Sequence, residues 1–138
     1  MPITEFINTL PLQRQELLTG IHKIIIKEDK TVIPEIGKMM GKDMIIYKAM
    51  GAFKYGLASA KNYMSLHVLP MYCSPAIHSK YKEILPGANF QKGCINFKDK
   101  EDMPLKIVKQ LIHDSSKIDL LAIRNDYLKS KKEKSKAV

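Results

Sequence analysis

Between Met44 and Leu69 the chain alternates short apolar runs with glycine and small-residue breaks, and this stretch restricts the fold more than any other. Met44 to Ala49, Ala52 to Tyr55 and Asn62 to Leu69 each have strand length, and Gly51 and Gly56 punctuate them as turns. Three such runs in succession predict an antiparallel meander. In the third, Tyr63, Ser65 and His67 alternate with Met64, Leu66 and Val68, the period of a strand with one polar and one apolar face. Pro70 ends it.

The flanks read as helices. From Pro11 to Glu28, Leu17, Leu18, Ile21, Ile24 and Ile25 recur at helical spacing between charged positions, and Pro11 suits the first turn, where a missing N–H costs nothing. Thr4 to Leu10 precedes it as a short helix or turn. The stretch Thr31 to Gly41 contains Pro34, Gly37 and Gly41, so any helix there is brief. Beyond the meander, Ser74 and Pro75 form a cap and first turn for a helix through Ile77, Tyr81 and Ile84, closed by Pro86 and Gly87. Ala88 to Phe90 and Gly93 to Phe97 are two further strands, the second with Ile95 and Phe97 on one face and Cys94 and Asn96 on the other. Pro104 starts a helix with Leu105, Val108, Leu111 and Ile112 as its stripe, and Ser116 with Asp119 resembles a capping box for a last helix through Tyr127. The order helix, three strands, helix, two strands, two helices predicts a two-layer α+β sandwich with helices on one face of an antiparallel sheet.

Charge and composition narrow the function classes. The chain has 138 residues, 45% hydrophobic, which suffices for one core and predicts a single domain over residues 1–128. Residues 129–138 form a lysine-rich tail that carries +4 of the formal +9. Only Arg14 and Arg124 supply guanidinium groups, and the aromatic residues do not interleave with a basic cluster, so nucleic-acid readout is poorly equipped. No apolar run reaches membrane-spanning length and the N-terminal segment lacks a signal-peptide pattern, which together predict a cytoplasmic protein without a membrane partner. Two cysteines, Cys73 and Cys94, are too few for a disulfide scaffold.

Chemistry-bearing residues are sparse. His67 and Cys94 lie on the polar faces of two strands, where an imidazole and a thiol would share a site if those strands were neighbours, with Ser65 or Asn96 as orienting groups. No nucleophile motif surrounds Cys94, and Cys73 sits at a strand-to-helix turn. The spacings of His67, Cys73, His78 and Cys94 match no zinc ligand set, and Gly37-Lys38 and Gly41-Lys42 lack the spacing of a phosphate loop. Glu28 with Asp29 reads as a solvated helix end. Lys92, directly before Gly93, offers a cation where a ligand can approach the backbone closely.

The segments KYGLASAKNYMSLHVLPMY and NFQKGCINFKDKEDMPLKIVKQLI, with Phe90, Lys92, Gly93 and Phe97 in their family positions before Met103-Pro104-Leu105, resemble the YdhG-like domain family over about Thr4 to Ile112. The resemblance implies a secretion-chaperone-like α+β fold. It also implies iron as one candidate cargo, because some members are described as frataxin-like intracellular iron chaperones. Delivery of hard iron cations calls for clustered carboxylates, whereas the first long helix sets Arg14, Lys23 and Lys27 against Glu16 and Glu28. The resulting expectation is a non-catalytic binding protein. Its ligand is a small anionic or metal-containing molecule, held on an exposed sheet face near Tyr55, Ser65, His67, Lys92 and Cys94. The alternative is an adaptor that binds nucleic acid or an acidic protein through its basic surface and tail, and a free sheet edge would also permit a homodimer.

Overall fold

The computed structural model describes residues 2–39 and 41–120. The expected last helix through Tyr127, apart from its first residues, and the 129–138 tail lie outside the described residues. The elements run α1 (Ile3–Asn8), α2 (Leu12–Glu28), β1 (Val32–Met39), β2 (Lys42–Ala49), β3 (Ala52–Ser59), β4 (Met64–Val68), α3 (Leu69–Cys73), α4 (Pro75–Ile84), β5 (Asn89–Phe90), β6 (Cys94–Phe97) and α5 (Leu105–Ser116).

The strands form one six-stranded antiparallel sheet in the order β1-β2-β3-β4-β6-β5. The α+β class agrees with the sequence reading, but the sheet has one strand more at its start. Residues 32–39, where the sequence allows only a brief helix and predicts no strand, form edge strand β1. An edge tolerates Pro34, since a missing N–H there need cost no ladder bond, and Gly37 lets the Ile46 side chain lie over the strand. A Cβ on Gly37 would come within 2.7 Å of Ile46 Cδ1.

The core lies between the sheet and the helices. Ile45 and Tyr47 of β2, Tyr55 and Leu57 of β3, Met64, Leu66 and Val68 of β4, and Ile95 and Phe97 of β6 face Leu18, Ile21 and Ile25 of α2 and Val108, Leu111 and Ile112 of α5 in one cluster. Each fully buried aliphatic side chain in this layer contributes about 1.5–3 kcal/mol relative to exposure. The opposite face carries a smaller cluster of Met44, Ile46 and Ala58, with Met39 and Phe53 packed against it.

Local chemistry places the connections. Ser74 Oγ accepts the Ile77 N–H and caps α4 as expected, at 3.4 Å. Arg14, on α2, donates to Ser59 Oγ at 2.8 Å and to the Ala60 carbonyl, so its guanidinium pins the β3–β4 turn to the helix layer. Ser116 is the last residue of α5 and donates to the His113 carbonyl, rather than opening a new helix. At the β2–β3 turn Met50 and Gly51 both adopt left-handed backbone, with φ of 53° and 78°. That pair has the handedness of a two-residue hairpin turn.

Candidate functional site

The expected sheet-face site divides between two faces. Tyr55 is not exposed: its ring is fully buried on the helix side, because it shares the inward parity of Leu57. Ser65 and Asn96 are cross-strand partners on the outer face and bond to each other, Ser65 Oγ donating to Asn96 Oδ1 at 2.6 Å. His67 and Cys94 are also direct cross-strand partners, so the fold brings the imidazole and thiol side by side. They do not form a nucleophile and base, however. Cys94 Sγ donates to Gln91 Oε1 at 3.2 Å, and His67 packs edge-on against the Phe53 ring at 6.5 Å. Burial holds the His67 imidazole below its ordinary value and pushes the Cys94 thiol up, which keeps both groups neutral. Lys92 is exposed in the loop between β5 and β6.

Sequence parity misses a different constellation, at the junction of α2 and β1. Asp29 follows the last residue of α2 and is 1% exposed. A carboxylate at a helix C-terminus faces the negative end of the helix dipole, so it needs donors. Four are supplied. Thr31 donates its N–H at 3.0 Å and its hydroxyl at 2.6 Å to Oδ1, while the Tyr55 hydroxyl at 2.8 Å and the Lys54 ammonium at 2.7 Å meet Oδ2. Burial alone would raise the Asp29 carboxyl, but the bonds from Lys54, Thr31 and Tyr55 outweigh it and hold the group below its usual range.

Adjacent residues on a regular strand point to opposite faces, so Lys54 and Tyr55 could not ordinarily reach one oxygen. A bulge removes the obstacle. Tyr47 is paired with Tyr55 and Lys48 with Phe53, which leaves Lys54 as an extra residue in β3 with no partner across the ladder. The extra residue turns Lys54 inward to 3% exposure and sends Phe53 to the outer face, where its ring packs over Gly56, 3.2 Å from where a Cβ on that residue would stand.

Lys54 lies in the wall of a cavity of about 780 Å³. Ala49, Met50, Ala52 and Phe53 of the hairpin form one side, Leu69 and Cys73 of α3 a second, and residues 116–120, from the last residue of α5 onward, a third. The walls are mainly apolar, with Thr31, Lys54, Ser116, Lys117 and Asp119 as polar interruptions. Burial raises the Cys73 thiol, which is therefore an un-ionised group at this wall. A second cavity, of about 430 Å³, is lined by Tyr63, Asn89, Asn96 and the charged turn around Asp99 and Asp102. Those carboxylates are engaged by the backbone N–H groups of Lys98, Glu101 and Asp102.

Among the described residues, no three His, Cys, Asp or Glu side chains converge on a metal position. No described helix is long and apolar enough to cross a membrane. Compared with protein-family models, with curated proteins and with solved structures, the chain matches none.

Proposed function

We propose that the chain is a binding domain for a small, uncharged, largely apolar molecule carrying one hydrogen-bond acceptor, held in the cavity between the β2–β3 hairpin, α3 and the end of α5. The observation that carries this reading is the imbalance within the buried ion pair. Asp29 has four donors, a full complement for a carboxylate, whereas Lys54 has three N–H groups and two oxygen partners among the described residues, Asp29 and Thr31. A ligand oxygen would complete the set.

In this cavity the same pair disfavours an anionic ligand. Lys54 and Asp29 already neutralise one another, so a carboxylate entering beside them is attracted by one and repelled by the other. It still loses its own hydration, at several kcal/mol per ion. An uncharged carbonyl or hydroxyl avoids that cost, and a volume of about 780 Å³ lies in the range of small-molecule sites. The resemblance to YdhG-like domains is compatible with a binding role and rests on the sequence strings alone. The adaptor reading rests on net charge and on a tail outside the described residues.

The test is thermal unfolding with 2-octanone, octan-1-ol or octanoate, on the wild type and on Ala52→Phe. Ala52 is an exposed residue of the cavity wall, and a strand accepts phenylalanine there while the ring fills the space. At ligand concentrations about a hundredfold above Kd the uncharged probes should add about 2.7 kcal/mol to the wild type, a rise of several degrees. Octanoate should add less, and Ala52→Phe should respond to none. Equal shifts in wild type and Ala52→Phe would refute the cavity as the binding place.

A further inference from the structure

We infer that Lys54 captures its ligand covalently: its amine forms an imine with the carbonyl carbon of an apolar aldehyde or ketone seated in the cavity. This rests on the binding reading above and adds the reactive class of the ligand. A primary amine in the wall of an apolar cavity, with a carboxylate oxygen at 2.7 Å and a phenol on that same oxygen at 2.8 Å, is an arrangement for carbonyl addition. Asp29 Oδ2 takes a proton from the Lys54 ammonium, and the freed nitrogen lone pair attacks the carbonyl carbon as the C=O π electrons move to oxygen. Asp29 then returns the proton to that oxygen, giving a carbinolamine that is still protonated and positively charged on nitrogen. A second proton passes through Asp29 from the carbinolamine nitrogen to its hydroxyl, which leaves as water while the nitrogen lone pair forms the C=N bond. The iminium keeps one hydrogen on nitrogen and carries the positive charge. Counted overall, one ammonium and one carbonyl give one iminium and one water, with neither oxidation nor net proton release.

The charge balance is what favours this chemistry here. Acylation of Lys54 would remove the positive charge and strand Asp29 as a buried carboxylate, whereas the iminium keeps a cation opposite it. Apolar walls also limit the water that would hydrolyse the product. The molecule holds its own control. Lys80 lies 3.0 Å from Asp114 Oδ2, and the neighbouring Tyr81 donates to that same oxygen, but the Lys80 side chain is 53% exposed and lines neither cavity.

The experiment is reductive trapping of the full chain with octanal and sodium cyanoborohydride at neutral pH, read by intact mass and peptide mapping. The first octyl group should appear on Lys54 at more than about tenfold the rate at Lys80, the enrichment expected from holding the reactants together. Ala52→Phe should lose that preference while Lys80 is labelled as before. Lys54 labelled no faster than Lys80, or equally fast in Ala52→Phe, would overturn the inference. Octan-1-ol separates the two levels of the argument, because it cannot form an imine. If it raises the Tm of the wild type alone while octanal spares Lys54, the cavity reading stands and covalent capture falls. If octan-1-ol has no effect and labelling is indiscriminate, both fall.

Discussion

The chain uses the sequence Lys-Tyr twice against an aspartate, once in a strand and once in a helix, and the two uses differ in almost everything except their atoms. In both, ammonium and phenol meet one carboxylate oxygen, Oδ2 of Asp29 for Lys54 and Tyr55 and Oδ2 of Asp114 for Lys80 and Tyr81. In both, the ammonium stands over the neighbouring tyrosine ring, at 5.7 Å and 5.1 Å. Consecutive helix residues are about 100° apart, so Lys80 and Tyr81 converge without distortion. Consecutive strand residues point apart, and Lys54 with Tyr55 requires the bulge. The helix version ties α4 to α5 at the surface. The strand version puts an almost fully buried pair at a cavity wall.

The sharpest way to break the comparison is to remove one cation from each trio. Lys54→Met leaves Asp29 buried without its counter-ion and should destabilise the protein by about 3–5 kcal/mol, measured by urea or guanidinium unfolding. Asp29→Asn combined with Lys54→Met keeps an amide oxygen to accept from Thr31 and turns the contact with Tyr55 into an amide N–H donated to the phenol oxygen, while removing both charges, and should recover most of that loss. A double variant no more stable than Lys54→Met would show that the charge imbalance is not the cause.

Acid titration probes the two trios by a second route. Both carboxyls are held low when folded: Asp29 because its bonds outweigh burial, and Asp114 first by the Tyr81 hydroxyl, against some burial, and then by Lys80. A depressed folded value means that the unfolded chain binds the proton more readily. The stabilisation is therefore complete above the unfolded carboxyl value near pH 4 and is lost as pH falls through the folded one. Asp29→Asn should flatten the acid limb of stability against pH, and retention of the full wild-type slope would contradict the assignment.

The smallest effects are expected at the surface trio and the hairpin tip. Lys80→Met should cost less than about 1 kcal/mol, since exposed pairs contribute little. At the turn beside the bulge, Met50 is 85% exposed with φ of 53°, so Met50→Asn should stabilise by roughly 1 kcal/mol by relieving left-handed strain. A loss of stability on that substitution would show that Met50 makes contacts the turn needs.

Proline and periodicity made most elements legible in advance: Pro11, Pro75 and Pro104 each stand at a helix start. β1 was hidden by its own Pro34 and Gly37, which break a helix or a central strand but are tolerated at a sheet edge. The Ser65–Asn96 and His67–Cys94 adjacencies follow from alternation once β4 and β6 are neighbours. The Asp29 site was illegible for a specific reason. Strict alternation assigns Lys54 and Tyr55 to opposite faces, and an unpaired residue in a bulge leaves no mark in a single sequence. Asp29 likewise looks like a solvated helix end until Thr31 and the two β3 side chains close around it.

The most direct measurement of the central claim uses the two thiols. Cys73 lies in the cavity wall and Cys94 on β6 away from it, so each reports a different face of the same molecule. Alkylation by iodoacetamide, followed at both sites by mass spectrometry with and without saturating 2-octanone, should slow at Cys73 and continue unchanged at Cys94. Equal rates at Cys73 with and without the ketone would contradict a ligand site beside Lys54.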